Sequence, residues 1–141
     1  FCVHGGISKS ITTIDQIDLI DRTLMAETVD LANPLSELLW SDPSVYKTGF
    51  GYSYRGVGHV FGREVFDKFM EDNKLTLLVR GHELATEGYS KAFDGRLITV
   101  WSAPNYCGAQ ANKACIMEVN DKHVLKFVFF GDQSFVPKSR W

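Results

Sequence analysis

Two apolar runs in this sequence each deliver a histidine beside glycine. The first is Phe1-Cys2-Val3-His4-Gly5-Gly6, and the second is Leu75-Thr76-Leu77-Leu78-Val79-Arg80-Gly81-His82. Short apolar runs bounded by turn residues read as buried strands, and Gly-Gly reads as a sharp turn. Glycine also lets backbone come close to a ligand, because no Cβ stands in the way. Two strand-end histidines about 80 residues apart can converge at one edge of a sheet. Paired imidazoles at a sheet edge suit a metal site. The chain also opens inside a strand, at a residue other than Met.

The composition allows a real core and excludes several alternatives. In 141 residues, 45% are hydrophobic and 13% aromatic, enough for about one domain. A net charge of −2, with Lys and Arg scattered, gives no nucleic-acid or membrane-surface signal. No apolar stretch reaches the ~20 residues of a membrane span. Cys2, Cys107 and Cys115 form no C-x-x-C pair. An odd number at irregular spacing argues against a disulfide framework and fits a reducing compartment.

The pattern along the chain is β, three helices, β, then a β-rich end, which predicts an α/β layered protein. Thr13 and Gln16 have capping-box spacing, and Ile14, Ile17 and Ile20 follow at three-residue steps, predicting a short amphipathic helix. Asn33-Pro34 reads as N-cap and first-turn proline of a second helix, with Leu35, Leu38 and Leu39 inward, ending near Trp40. Residues 44–62, where glycines alternate with aromatics around Arg55, read as a loop. A third helix is expected over 63–72, with Phe66, Phe69 and Met70 inward. Strands are expected over 75–79, 97–101, 115–119 and 124–130. No linker or internal repeat marks a domain boundary.

Beyond His4 and His82, three features can carry chemistry. Arg55, between Tyr54 and Gly56, offers a guanidinium that can grip a phosphate through two parallel hydrogen bonds. Ser102-Ala103-Pro104-Asn105-Tyr106-Cys107 ends a strand at proline and delivers a Tyr-Cys pair into a loop, where the Tyr106 hydroxyl can donate to an anion. Cys107 has no activating base or cation beside it in sequence. Two imidazoles do not complete a metal site, so further ligands would come from Asp42, Glu83, Asp94 or sequence outside this chain. His59, in the glycine-aromatic stretch, and His123, in a polar turn, read as structural or exposed. No Ser-His-Asp arrangement, phosphate-cradling G-x-x-x-x-G-K or dinucleotide fingerprint is present.

Taken in order, these segments resemble the phosphoprotein phosphatases, the metal-dependent serine/threonine phosphatase family. His4-Gly5-Gly6 resembles that family's H-G-G, and Leu38-Leu39-Trp40-Ser41-Asp42-Pro43 its L-L-W-S-D-P. Arg55-Gly56-Val57 with Phe61-Gly62 resembles R-G-x followed by F-G. Arg80-Gly81-His82-Glu83 resembles R-[AS]-H-[QE], with Gly81 where Ala or Ser is usual, and Ser102 to Cys107 resembles S-A-P-N-Y-C. The loop after the Tyr-Cys pair fits only loosely, and the tail from Phe130 to Trp141 matches no terminal motif.

The resemblance implies a layered α/β/β/α metallophosphoesterase sandwich. It implies His4 and His82 as ligands in a centre of two metal ions of the manganese, iron or zinc class. Arg55 and Tyr106 would contact the substrate phosphate, with Asp42 an acidic contributor beside them. A metal-activated hydroxide would attack phosphorus in phosphoserine or phosphothreonine of protein substrates. Regulatory subunits would be the other partners, with neither nucleic acid nor membrane involved, in the cytoplasm or nucleus or both. The family's G-D-x-H-G, G-D-x-V-D-R-G and G-N-H-E motifs are absent from the 141 residues. Residues 1–141 are therefore expected to be the C-terminal portion of one catalytic domain, inactive alone. The rival expectations are a truncated or pseudo-phosphatase that binds partners without catalysis, and a metallophosphodiesterase acting on nucleotides.

Overall fold

The structure is a computed structural model and describes residues 1–23 and 33–131. The chain separates into two compact units, Phe1–His82 with Lys91–Ile98, and Glu83–Ser90 with Thr99–Trp141. In chain order the elements are β1 (Cys2–Val3), a 3-10 segment (Ile14–Leu19), α1 (Pro34–Trp40), β2 (Asp42–Pro43), β3 (Phe50–Tyr52), β4 (His59–Phe61), α2 (Arg63–Asp72), β5 (Leu78–Arg80), β6 (Tyr89–Ala92), β7 (Leu97–Val100), β8 (Ala114–Val119) and β9 (Leu125–Phe130). One sheet has the order β1-β5-β7-β6, a second the order β2-β4-β3, and β8 pairs with β9. The mixed α/β class expected from the sequence is what forms. Among the described residues no helix is long and apolar enough to cross a membrane.

In the first unit, β1 runs parallel to β5, with Cys2 opposite Val79 and Val3 opposite Arg80. Ile7, Phe61, Phe66, Phe69, Met70, Leu78, Phe93 and Leu97 form its buried cluster. Helix α2 supplies Phe66, Phe69 and Met70 at the spacing of one helical face, as predicted. The Phe66 ring lies 4.7 Å from that of Phe93. Full burial of each such side chain is worth about 1.5–3 kcal/mol. Asn33 caps α1 by accepting a hydrogen bond from the Leu35 N–H at 2.9 Å, with Pro34 in the first turn.

The structure differs from the expectations at four places. The first helix is 3-10, because Ile14, Ile17 and Ile20 step by three, the 3-10 period rather than 3.6. Residues 44–62 are not all loop. Their two-residue glycine-aromatic alternation is a strand period, and Phe50, Gly51 and Tyr52 pair antiparallel with Phe61, Val60 and His59. Gly56 and Gly58, with φ of 76° and 65°, serve the turn between them. The strand expected from Leu75 begins at Leu78, since Leu75 N–H still bonds to Met70 O at the end of α2. Strand β6, with only Tyr89 and Ala92 half-buried, lacks the apolar run that would have announced it.

In the second unit, β8 and β9 pair from Ala114–Phe130 to Val119–Leu125. The Tyr89 ring stacks on Phe127 at 4.3 Å. Cys115 is buried, whereas Cys2 and Cys107 are exposed, and all three are free thiols.

Candidate active site

The parallel register of β1 and β5 brings the two histidines together. His4 is one residue beyond Val3 and His82 two beyond Arg80, and the Gly81 N–H donates to His4 O at 3.1 Å. Their rings meet edge-on with centroids 4.9 Å apart. Trp40, at the end of α1, stands at 88° to the His82 ring, 5.2 Å away. His82 takes a left-handed φ of 67°, a conformation that costs energy in a residue with a Cβ. Its side chain is only 9% exposed, whereas His4 is exposed.

The His82 ring carries an unsatisfied nitrogen. Its Nε2 is buried and has no hydrogen-bond partner among the described residues. Asp42 Oδ1, the carboxylate oxygen facing it, is 4.0 Å away. Burial, with Arg55 adding to it and Asp42 opposing, pushes its pKa down from 6.5 to about 4. At neutral pH His82 is therefore uncharged, with an Nε2 that no described residue hydrogen-bonds. A metal ion fits that orphaned atom, and His4 and His82 are the residues that would hold it. Among the described residues no group of three or more His, Cys, Asp or Glu side chains is placed to hold a metal ion by itself.

Beside the histidines, Asp42 joins two guanidinium groups. Its Oδ2 accepts from Arg55 Nε at 2.6 Å and its Oδ1 from Arg80 Nη2 at 2.7 Å. The Arg80 side chain is fully buried and also donates to Gly5 O and, at 3.4 Å, to Ser41 O. Asp42, with a 3% exposed side chain, thus lies where a buried cation needs a counter-charge. Arg55 remains 22% exposed and lies over the Tyr54 ring, 5.2 Å from its centroid. The bond at Nε fixes the orientation of a planar guanidinium that is still partly at the surface.

The Gly5-Gly6 pair proves to be a packing device. Both amides donate to Leu38 O, at 2.9 and 3.1 Å. A Cβ on Gly5 would lie 2.5 Å from the Leu39 carbonyl, and one on Gly6 would strike the Phe61 ring and come 2.9 Å from Ser41 O. Close approach is what requires glycine here, as expected, but toward α1 and β4 rather than a ligand. Glu37, buried in α1, continues this join. It accepts from Ser8 Oγ and, at 3.0 Å, from Ser10 N–H, and its Oε1 lies 3.2 Å from His59 Nδ1.

Tyr106 belongs to the second unit. It is 45% exposed, and its ring stands edge-on to Trp101 at 4.9 Å. Asp94 pairs with Arg63 at the surface at 2.8 Å, and His123 sits in the turn between β8 and β9. The first unit thus brings together His4, His82, Asp42 and Arg55. Sequence reasoning missed Arg80 and Glu37. A charge closing an apolar run and a glutamate among leucines were the available signals.

The comparisons with known proteins agree with this geometry. The calcineurin-like phosphoesterase family matches residues 1–85. A protein phosphatase 2A catalytic subunit of Dictyostelium discoideum is 46% identical over 122 residues, covering 86% of this chain and 38% of the relative. The serine/threonine-protein phosphatase 4 catalytic subunit of Saccharomyces cerevisiae is 43% identical over 130 residues, covering 92% of this chain and 41% of the relative. Among solved structures, a serine/threonine phosphatase of Saccharomyces cerevisiae with similarity to human phosphatase PP5 superposes with a TM-score of 0.81 at 33% identity, over 97% of this chain and 45% of that one. The chain spans about two fifths of the length of the curated relatives it matches. In sequence and in fold it belongs to the calcineurin-like phosphoesterase family, in the phosphoprotein phosphatase branch of its relatives.

Proposed function

We propose that the protein carrying this chain hydrolyses phosphoserine and phosphothreonine esters in proteins, with His4 and His82 as ligands of a two-metal centre. The observation that carries the reading is the convergence of the two imidazoles beside the Asp42–Arg55–Arg80 clamp. When bound, the metal ions supply Lewis acidity and a water activated at neutral pH. Two imidazoles leave a four-coordinate ion two ligands short, so others complete the centre.

The chain's own residues have distinct tasks. Uncharged His82 offers a lone pair without first losing a proton. Arg55 binds the phosphate oxygens and offsets charge as the P–O bond breaks. Asp42 fixes Arg55 at Nε, and Arg80 balances Asp42 from the buried side. Tyr106 donates its hydroxyl to a phosphate oxygen. Protein substrates, and regulatory subunits as further partners, are supported by the names of the relatives as catalytic subunits.

The full-length protein assayed on a phosphothreonine peptide and on a cyclic nucleotide tests the reading. Peptide hydrolysis that falls about 100-fold or more in Arg55→Ala, with metal content unchanged, is expected. Preference for the cyclic nucleotide, or wild-type kinetics in Arg55→Ala, would overturn it.

A further inference from the structure

We propose that Asn112 is the positioning residue for Tyr106, setting its hydroxyl through the backbone; the catalytic value of that position rests on the reading of Tyr106 given above. Tyr106 lies in a segment whose backbone is unusual on both sides. Asn105 and Cys107 have φ of 43° and 55°, and Ala111 has 50°, all left-handed and none of them glycine. Such conformations persist only where surrounding contacts impose them. Cys107 is exposed, so packing around its side chain is not what imposes its conformation.

The Asn112 side chain supplies the contacts. The residue is 3% exposed, although most of the loop around it is exposed. Its Oδ1 accepts the Tyr106 N–H at 2.8 Å. Its Nδ2 donates to Ala103 O at 2.8 Å and to Lys113 O at 2.9 Å. Its backbone carbonyl accepts the Asn105 N–H at 3.0 Å, and Asn105 Oδ1 accepts from Ala111 N–H at 3.2 Å. One buried amide therefore joins both ends of the loop to the residue at its centre.

The platform under the ring shares the same acceptor. Trp101 Nε1 donates to Ala103 O at 2.8 Å, the carbonyl that Asn112 also uses. The Trp101 backbone is held on both sides, its N–H by Gly88 O and its carbonyl by Cys115 N–H, each at 2.8 Å. The Tyr106 ring stands edge-on to this fixed indole at 86°. The backbone bond to Asn112 and the edge-on contact with Trp101 together restrict where the hydroxyl lies.

Asn needs both halves of its amide here. Asp keeps the shape and the acceptor but loses both donors, and sets a carboxylate against two carbonyl oxygens. In the full-length protein with ring-labelled tyrosine, Tyr106→Phe identifies the Tyr106 signal by removing it. Asn112→Asp is expected to move that signal toward the position of an unstructured tyrosine and to lower kcat/KM on a phosphothreonine peptide about tenfold, with metal content unchanged. Combined with Tyr106→Phe, it is expected to add little further loss, since both act at one hydroxyl. An unmoved Tyr106 signal in folded Asn112→Asp would overturn the proposal. A moved signal with wild-type kinetics in Tyr106→Phe would instead refute the phosphate contact and leave the positioning role standing. Where Asn112→Asp does not fold, exchange of the Tyr106 amide in the unaltered protein decides: protection supports the bond to Asn112, and exchange at the rate of an open loop overturns it.

Discussion

His4 and Tyr106 are both exposed residues with a proposed role, yet the chain holds them in opposite ways. His4 and His82 are set by regular structure: two parallel strands in fixed register, glycines packed on α1, and a buried ion-pair cluster alongside. Tyr106 is set by irregular structure: left-handed backbone on both sides and one uncharged amide. Register places a residue through many weak bonds, so no single side chain decides it. A strained loop concentrates that task on the few groups that can satisfy it.

The sharpest break in the first region is expected at Asp42. Asp42→Ala removes the carboxylate that pairs with both the fully buried Arg80 and Arg55, and should cost about 3–5 kcal/mol in urea denaturation. A loss below about 1 kcal/mol would show that the clamp contributes little.

His82 gives the first region a pH dependence. Its folded pKa, about 4, lies below the unfolded value of 6.5, so the unfolded state binds more protons between the two. The contribution is fully present above about pH 6.5 and is lost as the pH falls toward 4, at most about 3 kcal/mol in the metal-free protein. His82→Gln should flatten that window. An unchanged pH profile would mean that His82 titrates normally.

A smaller effect tests the close packing. Gly5→Ala pushes a Cβ against the Leu39 carbonyl, an overpacking that costs about 1–3 kcal/mol. Weakened metal retention is the expected accompaniment, because the His4 loop must shift. The smallest test needs no substitution. Cys2 in the first region and Cys107 in the second are exposed and should react with a maleimide in the native protein. Cys115 is buried, and burial also raises its pKa, so it should react only on unfolding. Fast modification of three thiols would contradict the core of the second unit.

The two regions also differed in how far they could be read from sequence. The strand ends bearing His4 and His82 were legible, because apolar runs and glycines are local signals and parallel pairing does the rest. Helix α2 and the Asn33 cap were legible for the same reason. The β3–β4 hairpin was missed because glycine and tyrosine, though spaced by two, lack the apolar alternation of an ordinary strand. Arg80 and Glu37 were missed because their partners are non-local. Arg80 is recognised by Asp42 and Gly5, and Glu37 by Ser8 and His59. The apolar neighbours of each hint at burial, but nothing within a few residues names the partner.

The central claim is that His4 and His82 hold metal while Arg55 acts on phosphate. Elemental analysis of the purified full-length protein beside His4→Ala, His82→Ala and Arg55→Ala tests it most directly. The account predicts two metal ions per chain in the unaltered protein and in Arg55→Ala, and a clear loss in each histidine variant. Unchanged metal stoichiometry in both histidine variants would contradict it.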